Sequence, residues 1–165
     1  MKLLLEQRKG GNVKRFHTMT MLREHLVSSH SWGVALNVIH IHPQCSASLL
    51  KAALWHDVPE YETGDIAAPT KWKHPSLANE VKRIEKDVME SLGIDIKIMP
   101  FEQEILKTAD MGDLILSCIE EYQLGNQEGL VIAKRGINYL LTKEPEFENV
   151  VKFIDDLAYY VGSFE

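Results

Sequence analysis

Residues 55–60 read Trp55-His56-Asp57-Val58-Pro59-Glu60, and the reading of this hexapeptide decides the fold. Just upstream, Ser46 has the character of a helix N-cap. Leu49, Leu50, Ala53 and Leu54 follow at helical spacing, so His56 and Asp57 fall near the end of a helix that Pro59 kinks or terminates. Neighbouring helical positions project about 100° apart, which lets an imidazole and a carboxylate swing toward one point. Glu60 lies three residues beyond Asp57 and four beyond His56, a spacing that returns a side chain to the same face. A His-Asp pair alone is a common accident, so its meaning depends on the rest of the chain.

Working outward, His30 sits in Ser28-Ser29-His30-Ser31-Trp32-Gly33, on a helix expected from about Glu24 to Ile41 and stopped by Pro43. Asp110 sits in Lys107-Thr108-Ala109-Asp110, on a helix that opens near Pro100 and runs through Ile105, Leu106, Leu114, Ile115 and Ile119 to Gly125. Each is a polar residue inside a core-facing apolar pattern, where an unpaired ionisable group is costly. One metal ion removes that cost for all four residues at once. Two imidazoles and two carboxylates make a mixed nitrogen and oxygen set, suited to Mn, Fe, Co, Ni or Zn rather than Ca. The expectation is one divalent transition metal held by His30, His56, Asp57 and Asp110, acting as a Lewis acid on a phosphoryl oxygen and orienting a water.

Further helices are expected from Pro75 to Gly93, from about Glu128 to Leu141 and from about Glu146 to Val161, with a loop through Thr63-Gly64-Asp65. No segment alternates with period two for long enough to make a strand. The fold class is therefore all-α, a bundle of about six or seven helices forming a single domain over residues 1–165. With 45% hydrophobic and 25% charged residues, the composition is that of an ordinary soluble globular chain. A net charge of −6 argues against a broad phosphate-neutralising surface, hence against a nucleic-acid polymer as partner, while leaving room for a small cationic pocket. Cys45 and Cys118 make neither a disulfide framework nor a metal spacing, which fits a reducing, cytoplasmic setting. No apolar run is long enough for a signal peptide or a membrane span.

His30, His56-Asp57 and Asp110, in that order and on helices, resemble the His-Asp (HD) domain phosphohydrolases. The likeness is closer to one branch, the 5′-deoxynucleotidases and the short phage-type deoxyadenosine triphosphate phosphohydrolases. It is carried by Arg15-Phe16, His30-Ser31, His56-Asp57 with Glu60, Thr63-Gly64-Asp65, Pro69 with Lys71, and Lys107 with Asp110. The resemblance implies that Glu60 is the catalytic general acid or base and that Asp65 is a second catalytic carboxylate. It further implies that Arg15 clamps the phosphate next to the sugar, with Lys71 and Lys107 adding positive charge. Phe16 stands where this branch usually has Trp, as the aromatic wall against C2′ of the sugar. His17, next in the chain, is a further candidate for phosphate contact.

Each of these residues also has a plainer reading on its own: Asp65 as a turn residue, Arg15 as a surface ion pair, and Lys71, Lys107 and His17 as solvated side chains. His25, His40, His42 and His74 read as surface or loop residues. The run from Glu80 to Asp87 reads as a salt-laced helix face. The expected activity is hydrolysis of a 2′-deoxynucleotide at the 5′-linked phosphorus, releasing deoxynucleoside with phosphate or polyphosphate. A slight lean goes to a purine-preferring dNTP triphosphohydrolase, with Mg admitted alongside a triphosphate substrate. A 5′-deoxynucleotidase acting on dNMPs is the alternative; a cyclic-nucleotide or alarmone hydrolase and a non-catalytic nucleotide-binding module stand behind it. The apolar C-terminal helices suit either the core or the face of a homo-oligomer.

Overall fold

The computed structural model describes residues 1–164. In order, the helical segments are α1 (Lys2–Gly10), α2 (Val27–Ile41), α3 (Ala47–Trp55), α4 (Glu60–Thr63), α5 (Ala68–Lys73), α6 (Pro75–Ser91), α7 (Pro100–Gln123), α8 (Gln127–Leu141) and α9 (Glu148–Gly162). Seven have nine residues or more, as the all-α reading expects, while α4 and α5 are short pieces of four and six residues. The described residues form no strand, only an isolated antiparallel bridge between Lys14 and Leu26. No helix among them is long and apolar enough to cross a membrane.

Helix α7 is the axis of the bundle, and α2, α3, α8 and α9 pack against it. Its buried stripe runs through Ile105, Ala109, Gly112, Ile115 and Ile119 at three- and four-residue steps. Helix α2 answers with Val27, Val34, Val38 and Ile41, and α3 adds Leu49, Ala52 and Ala53. Ser46 does cap α3, its hydroxyl accepting from the Leu49 N–H at 3.0 Å. A smaller apolar cluster of Val58, Val88, Leu92 and Ile94 fastens α6 to the turn that follows α3.

Three local features depart from the sequence expectation, each for a physical reason. Helix α1 was not expected because it has no apolar stripe: Leu3, Leu4 and Leu5 are exposed, and its one buried residue is Gly10. A Cβ at Gly10 would lie 2.6 Å from the Val58 Cα, so α1 docks by a bare stretch of backbone, helped by the Gln7 side-chain amide, which donates to the Leu92 carbonyl at 3.1 Å. Helix α2 starts at Val27 rather than Glu24, because pairing across the segment keeps residues 24–26 extended. The Arg15 N–H donates to the His25 carbonyl at 2.8 Å, and the Val27 N–H donates to the Val13 carbonyl at 2.9 Å. Third, Pro59 ends α3 without swinging the chain away. His56 and Pro59 both keep right-handed helical angles, and the chain resumes helically at Glu60.

The segment between α1 and α2 is anchored by one buried carboxylate. Glu121, near the C-terminus of α7, has no exposed surface. It accepts from the Leu22 N–H at 2.7 Å, the Arg23 N–H at 3.2 Å, the Asn126 side-chain amide at 3.2 Å and His25 Nε2 at 3.1 Å. Burial alone would raise its pKa, but these donors overcome that and hold it down to about 2. A carboxylate whose folded pKa is depressed stabilises above its ordinary pKa and loses that contribution as pH falls through the folded value. Glu121→Gln is therefore expected to cost on the order of 3 kcal/mol at neutral pH by linkage. Urea unfolding should also show a flatter loss of stability than the unmodified protein between pH 4.5 and about 2.

Candidate metal centre

The four ligand candidates come from three elements that meet at one point. Helix α2 supplies His30 from its buried face, α7 supplies Asp110 one residue after buried Ala109, and the turn between α3 and α4 supplies His56 and Asp57. His30 Nε2 lies 3.3 Å from His56 Nε2, 3.1 Å from Asp110 Oδ1 and 3.4 Å from Asp57 Oδ2. His56 Nε2 lies 3.4 Å from Asp57 Oδ2 and 4.0 Å from Asp110 Oδ1. Donor atoms around one tetrahedral ion at bond lengths of about 2.0–2.2 Å stand roughly 3.3–3.6 Å apart, close to this spacing. The donor atoms of His30, His56 and Asp110 all fall within 4.8 Å of one another. Asp57 turns the same Oδ2 to both imidazoles and also accepts from the Arg15 guanidinium at 2.7 Å.

The far sides of both rings are held so that Nε2 is the atom each ring turns to the centre. His30 Nδ1 meets Asp113 Oδ2 at 2.7 Å, and His56 Nδ1 donates to the Ala53 carbonyl at 2.9 Å. An imidazole that gives its Nδ1 proton to such an acceptor presents Nε2 as a ligand. Asp113 reaches His30 only because residue 33 is glycine. A Cβ there would lie 1.8 Å from Asp113 Oδ1.

Charge in the cluster favours a cation. Burial works against the charged form of His30, yet hydrogen bonds to Asp110, Asp113 and Asp57 prevail and lift its pKa to about 11. Burial likewise opposes ionisation of Asp57, but His56, His30 and Arg15 keep it well below the usual carboxylate range. Asp110 is lowered too, against burial, by its hydrogen bond to His30 and the charge of His56. Two ionised carboxylates and two convergent imidazole nitrogens fit a divalent ion of the transition series.

Glu60 lies beside this centre, 5% exposed, with Oε2 buried and without a hydrogen-bond partner among the described residues. Burial raises its pKa to about 9, assisted by the charges of Asp57 and Asp65 and opposed by Arg15 and Lys71. A buried carboxyl with a free oxygen in a cleft is arranged to meet a ligand or a water. Gly64, at φ 70°, ends α4 and delivers half-buried Asp65 to the side where it acts on both Arg15 and Glu60. Lys71, from α5, acts on Glu60 and on Glu85 of α6. Arg15 is largely buried, and burial disfavours its charge, but Asp57, Asp110, Asp65 and Glu60 around it more than restore the ionised form.

Phe16, next to Arg15, has φ 58°, a left-handed conformation that bulky residues rarely take. Its ring lines a cavity of about 180 Å³ together with Arg15, His25, His30 and Trp32. His17 and Lys107 are exposed and make no hydrogen bond or ion pair among the described residues. Two residues gain a place that the sequence hid. Glu85 lies in the charged run from Glu80 to Asp87, where Arg83 does pair with Glu80 and Asp87. Yet Glu85 itself turns inward, its pKa raised by burial, and senses Lys71, Asp57 and His56. His25, read as a surface or loop residue, packs edge-on against Phe16 with ring centroids 5.2 Å apart. No sequence signal marks either, because each depends on which neighbours the fold brings alongside.

Comparison with known proteins places the chain in a family. A family model described as 5′-deoxynucleotidase YfbR-like matches residues 8–161. A curated 5′-deoxynucleotidase of Vibrio vulnificus (strain YJ016) is 30% identical, with 82% of this chain and 83% of the relative covered. One from Yersinia pseudotuberculosis is 28% identical over 92% of this chain and 87% of its own. Among solved structures, the cyanophage S-2L HD phosphohydrolase DatZ, bound to dA and one catalytic Zn²⁺ ion, shares the fold with a TM-score of 0.71 over 96% of each chain, at 17% identity. The chain belongs to the YfbR-like 5′-deoxynucleotidase family, a family of hydrolases, and has the HD phosphohydrolase fold.

Proposed function

We propose that the protein hydrolyses 2′-deoxynucleoside 5′-monophosphates to deoxynucleoside and phosphate, using one divalent transition metal held by His30, His56, Asp57 and Asp110. The observation that carries this reading is the Arg15–Asp57 contact at 2.7 Å. It sets a guanidinium, and the aromatic ring that follows it in the chain, against the metal-ligand cluster, where a phosphate and its sugar would lie. When bound, the ion supplies Lewis-acid polarisation of a phosphoryl oxygen.

The chain's own residues do the rest. Arg15 and Lys71 bind and orient the phosphate. Asp65 orients the attacking water and takes its proton as the new bond to phosphorus forms. Glu60, protonated at neutral pH, gives its proton to O5′ as the P–O5′ bond breaks, so that the deoxynucleoside leaves neutral. Phe16 packs against C2′ and leaves no partner for a 2′-hydroxyl. A triphosphate substrate, dATP above all, has less support. It needs positive charge beyond the first phosphate, and with Lys107 and His17 exposed that charge rests on Lys71, itself facing Glu60 and Glu85.

For the metal, Asp110→Ala is expected to lose both bound ion, measured by elemental analysis after gel filtration, and turnover. Gly33→Ala is expected to weaken metal binding by about 10–100-fold through displacement of Asp113, as read by chelator competition. An Asp110→Ala protein with full metal content and turnover would remove Asp110 from the ligand set.

For the proton donor, Glu60→Gln is expected to keep its metal while kcat falls by about two to four orders of magnitude. Because the protonated form is the active one, kcat/KM of the unmodified enzyme is expected to fall as pH rises. The alkaline limb should lie at or below about 9, since a bound cation favours ionisation, and it should be absent in Glu60→Gln.

For the substrate, deoxynucleoside monophosphates are expected to exceed ribonucleotides in kcat/KM by at least about tenfold, given 1.4 kcal/mol per decade and the cost of an unpaired buried hydroxyl. Phe16→Ala should narrow that gap by admitting ribonucleotides, and Arg15→Ala should depress both sugars alike. Equal rates on both sugars in the unmodified enzyme would overturn the role of Phe16. Product separation after incubation with dNMPs and dNTPs decides between phosphate and triphosphate release.

A further inference from the structure

Phe16 is held in an unfavourable conformation, and the structure contains a device that holds it there. A side chain of this size at φ 58° is strained and persists only where its surroundings over-determine it. On its N-terminal side the Arg15 N–H donates to the His25 carbonyl at 2.8 Å. On its C-terminal side the Phe16 carbonyl closes a turn by accepting from the Met19 N–H at 2.9 Å. The ring itself meets the His25 imidazole edge-on, 84° between planes. Aromatic pairs favour this geometry because the positive edge of one ring meets the negative face of the other.

His25 is in turn fixed by Glu121. Its Nε2 lies 3.1 Å from Glu121 Oε1, and the same carboxylate binds the Leu22 and Arg23 backbone N–H groups. Glu121 also holds Asn126, whose amide reaches the Thr20 carbonyl at 2.9 Å, so both flanks of the segment are tied to the end of α7. A carboxylate with no exposed surface would be expensive to bury for this purpose unless every donor around it were used. Metal ligation and proton transfer leave Glu121 and His25 without a part.

We propose that Glu121, acting through His25, fixes the Phe16 ring against the sugar site, and that this pair of positioning residues determines how strongly the enzyme discriminates deoxyribose from ribose. The proposal rests on the reading of Phe16 as the sugar wall. No hydrogen bond or ring contact joins His25 to the metal-ligand candidates among the described residues, so its effect passes through the aromatic ring. Removing the imidazole lets the ring move and the backbone relax, opening space for a 2′-hydroxyl, while the metal cluster keeps its own supports in Asp113 and Ala53.

The test compares His25→Ala, His25→Gln, Glu121→Gln, Phe16→Ala and the Phe16→Ala/His25→Ala double variant with the unmodified metal-loaded enzyme. His25→Gln keeps a donor for Glu121 and guards against simple misfolding. The readouts are kcat/KM on deoxyadenosine and adenosine 5′-monophosphates, metal content, and hydrogen exchange at the backbone amides of residues 15–19. His25→Ala and His25→Gln are expected to lower the deoxy-to-ribo ratio by about three- to tenfold, the worth of one aromatic contact. Metal content should not change, and the amides of Arg15 and Met19 should exchange faster in both variants and in Glu121→Gln. In the Phe16→Ala background, loss of His25 should leave the ratio unchanged.

If Phe16→Ala shifts the ratio but neither His25 variant does, the positioning role is overturned and the sugar wall stands. A His25 effect that persists without Phe16 overturns it equally, because the imidazole would then act by another route. Should Phe16→Ala leave the ratio untouched, the sugar-wall reading has failed, and the specificity role of Glu121 and His25 falls with it. Unchanged amide exchange in that case also removes their hold on the Phe16 backbone.

Discussion

The hydrogen bond between His30 Nδ1 and Asp113 Oδ2 is the contact on which the centre of the molecule depends. It joins α2 to α7 where both helices would otherwise bury an uncompensated polar group in an apolar seam. His30 is flanked by Val27 and Val34, and Asp113 by Gly112 and Ile115, all buried. Once the proton on Nδ1 is committed to Asp113, the opposite nitrogen is committed to the centre, and the register between the two helices follows. Sliding either helix by one turn, about 5.4 Å, would break the bond and strand both groups. Gly33 belongs to the same constraint, since the Asp113 carboxylate occupies the space that a methyl group there would take. Chemistry and packing thus ask for the same alignment.

That agreement explains which parts of the molecule were legible in the sequence. His30 and Asp110 sit inside helices with strong apolar periodicity and His56-Asp57 fall just past the end of one, so their positions could be counted from the core stripes, and the structure brings them together. Glu60 stands beside the cluster for a related reason: His56 and Pro59 keep helical angles, so helical spacing carries past Pro59. What escaped reading depends on tertiary neighbours. Helix α1 docks through Gln7 and Gly10 and shows no apolar face to count. The start of α2 is displaced by a backbone pairing with residues 13–15 that no local propensity announces. Glu85 is hidden in a charged run because only packing of α6 on Val58 decides which of its acids turns inward.

The site divides its work between two kinds of support. The metal-ligand candidates are mounted on α2, α7 and the end of α3, elements whose positions are over-determined by the main apolar cluster. Arg15 and Phe16 are mounted on an irregular segment that contributes little buried apolar surface and is fastened instead by polar groups, Glu121 above all. Apolar packing is non-directional and tolerates substitution of similar volume, whereas a buried carboxylate with several donors fixes orientation and fails abruptly when one partner is lost. A cluster that needs only proximity to an ion is well served by the first kind of support. A ring that has to exclude a single oxygen atom, the role proposed for Phe16, requires the second, because displacement by a fraction of its own thickness would admit the wrong sugar. If Arg15 and Phe16 meet the substrate as proposed, separating the two allows recognition to be altered along residues 15–26 while the helices that carry the candidate ligands remain as they are.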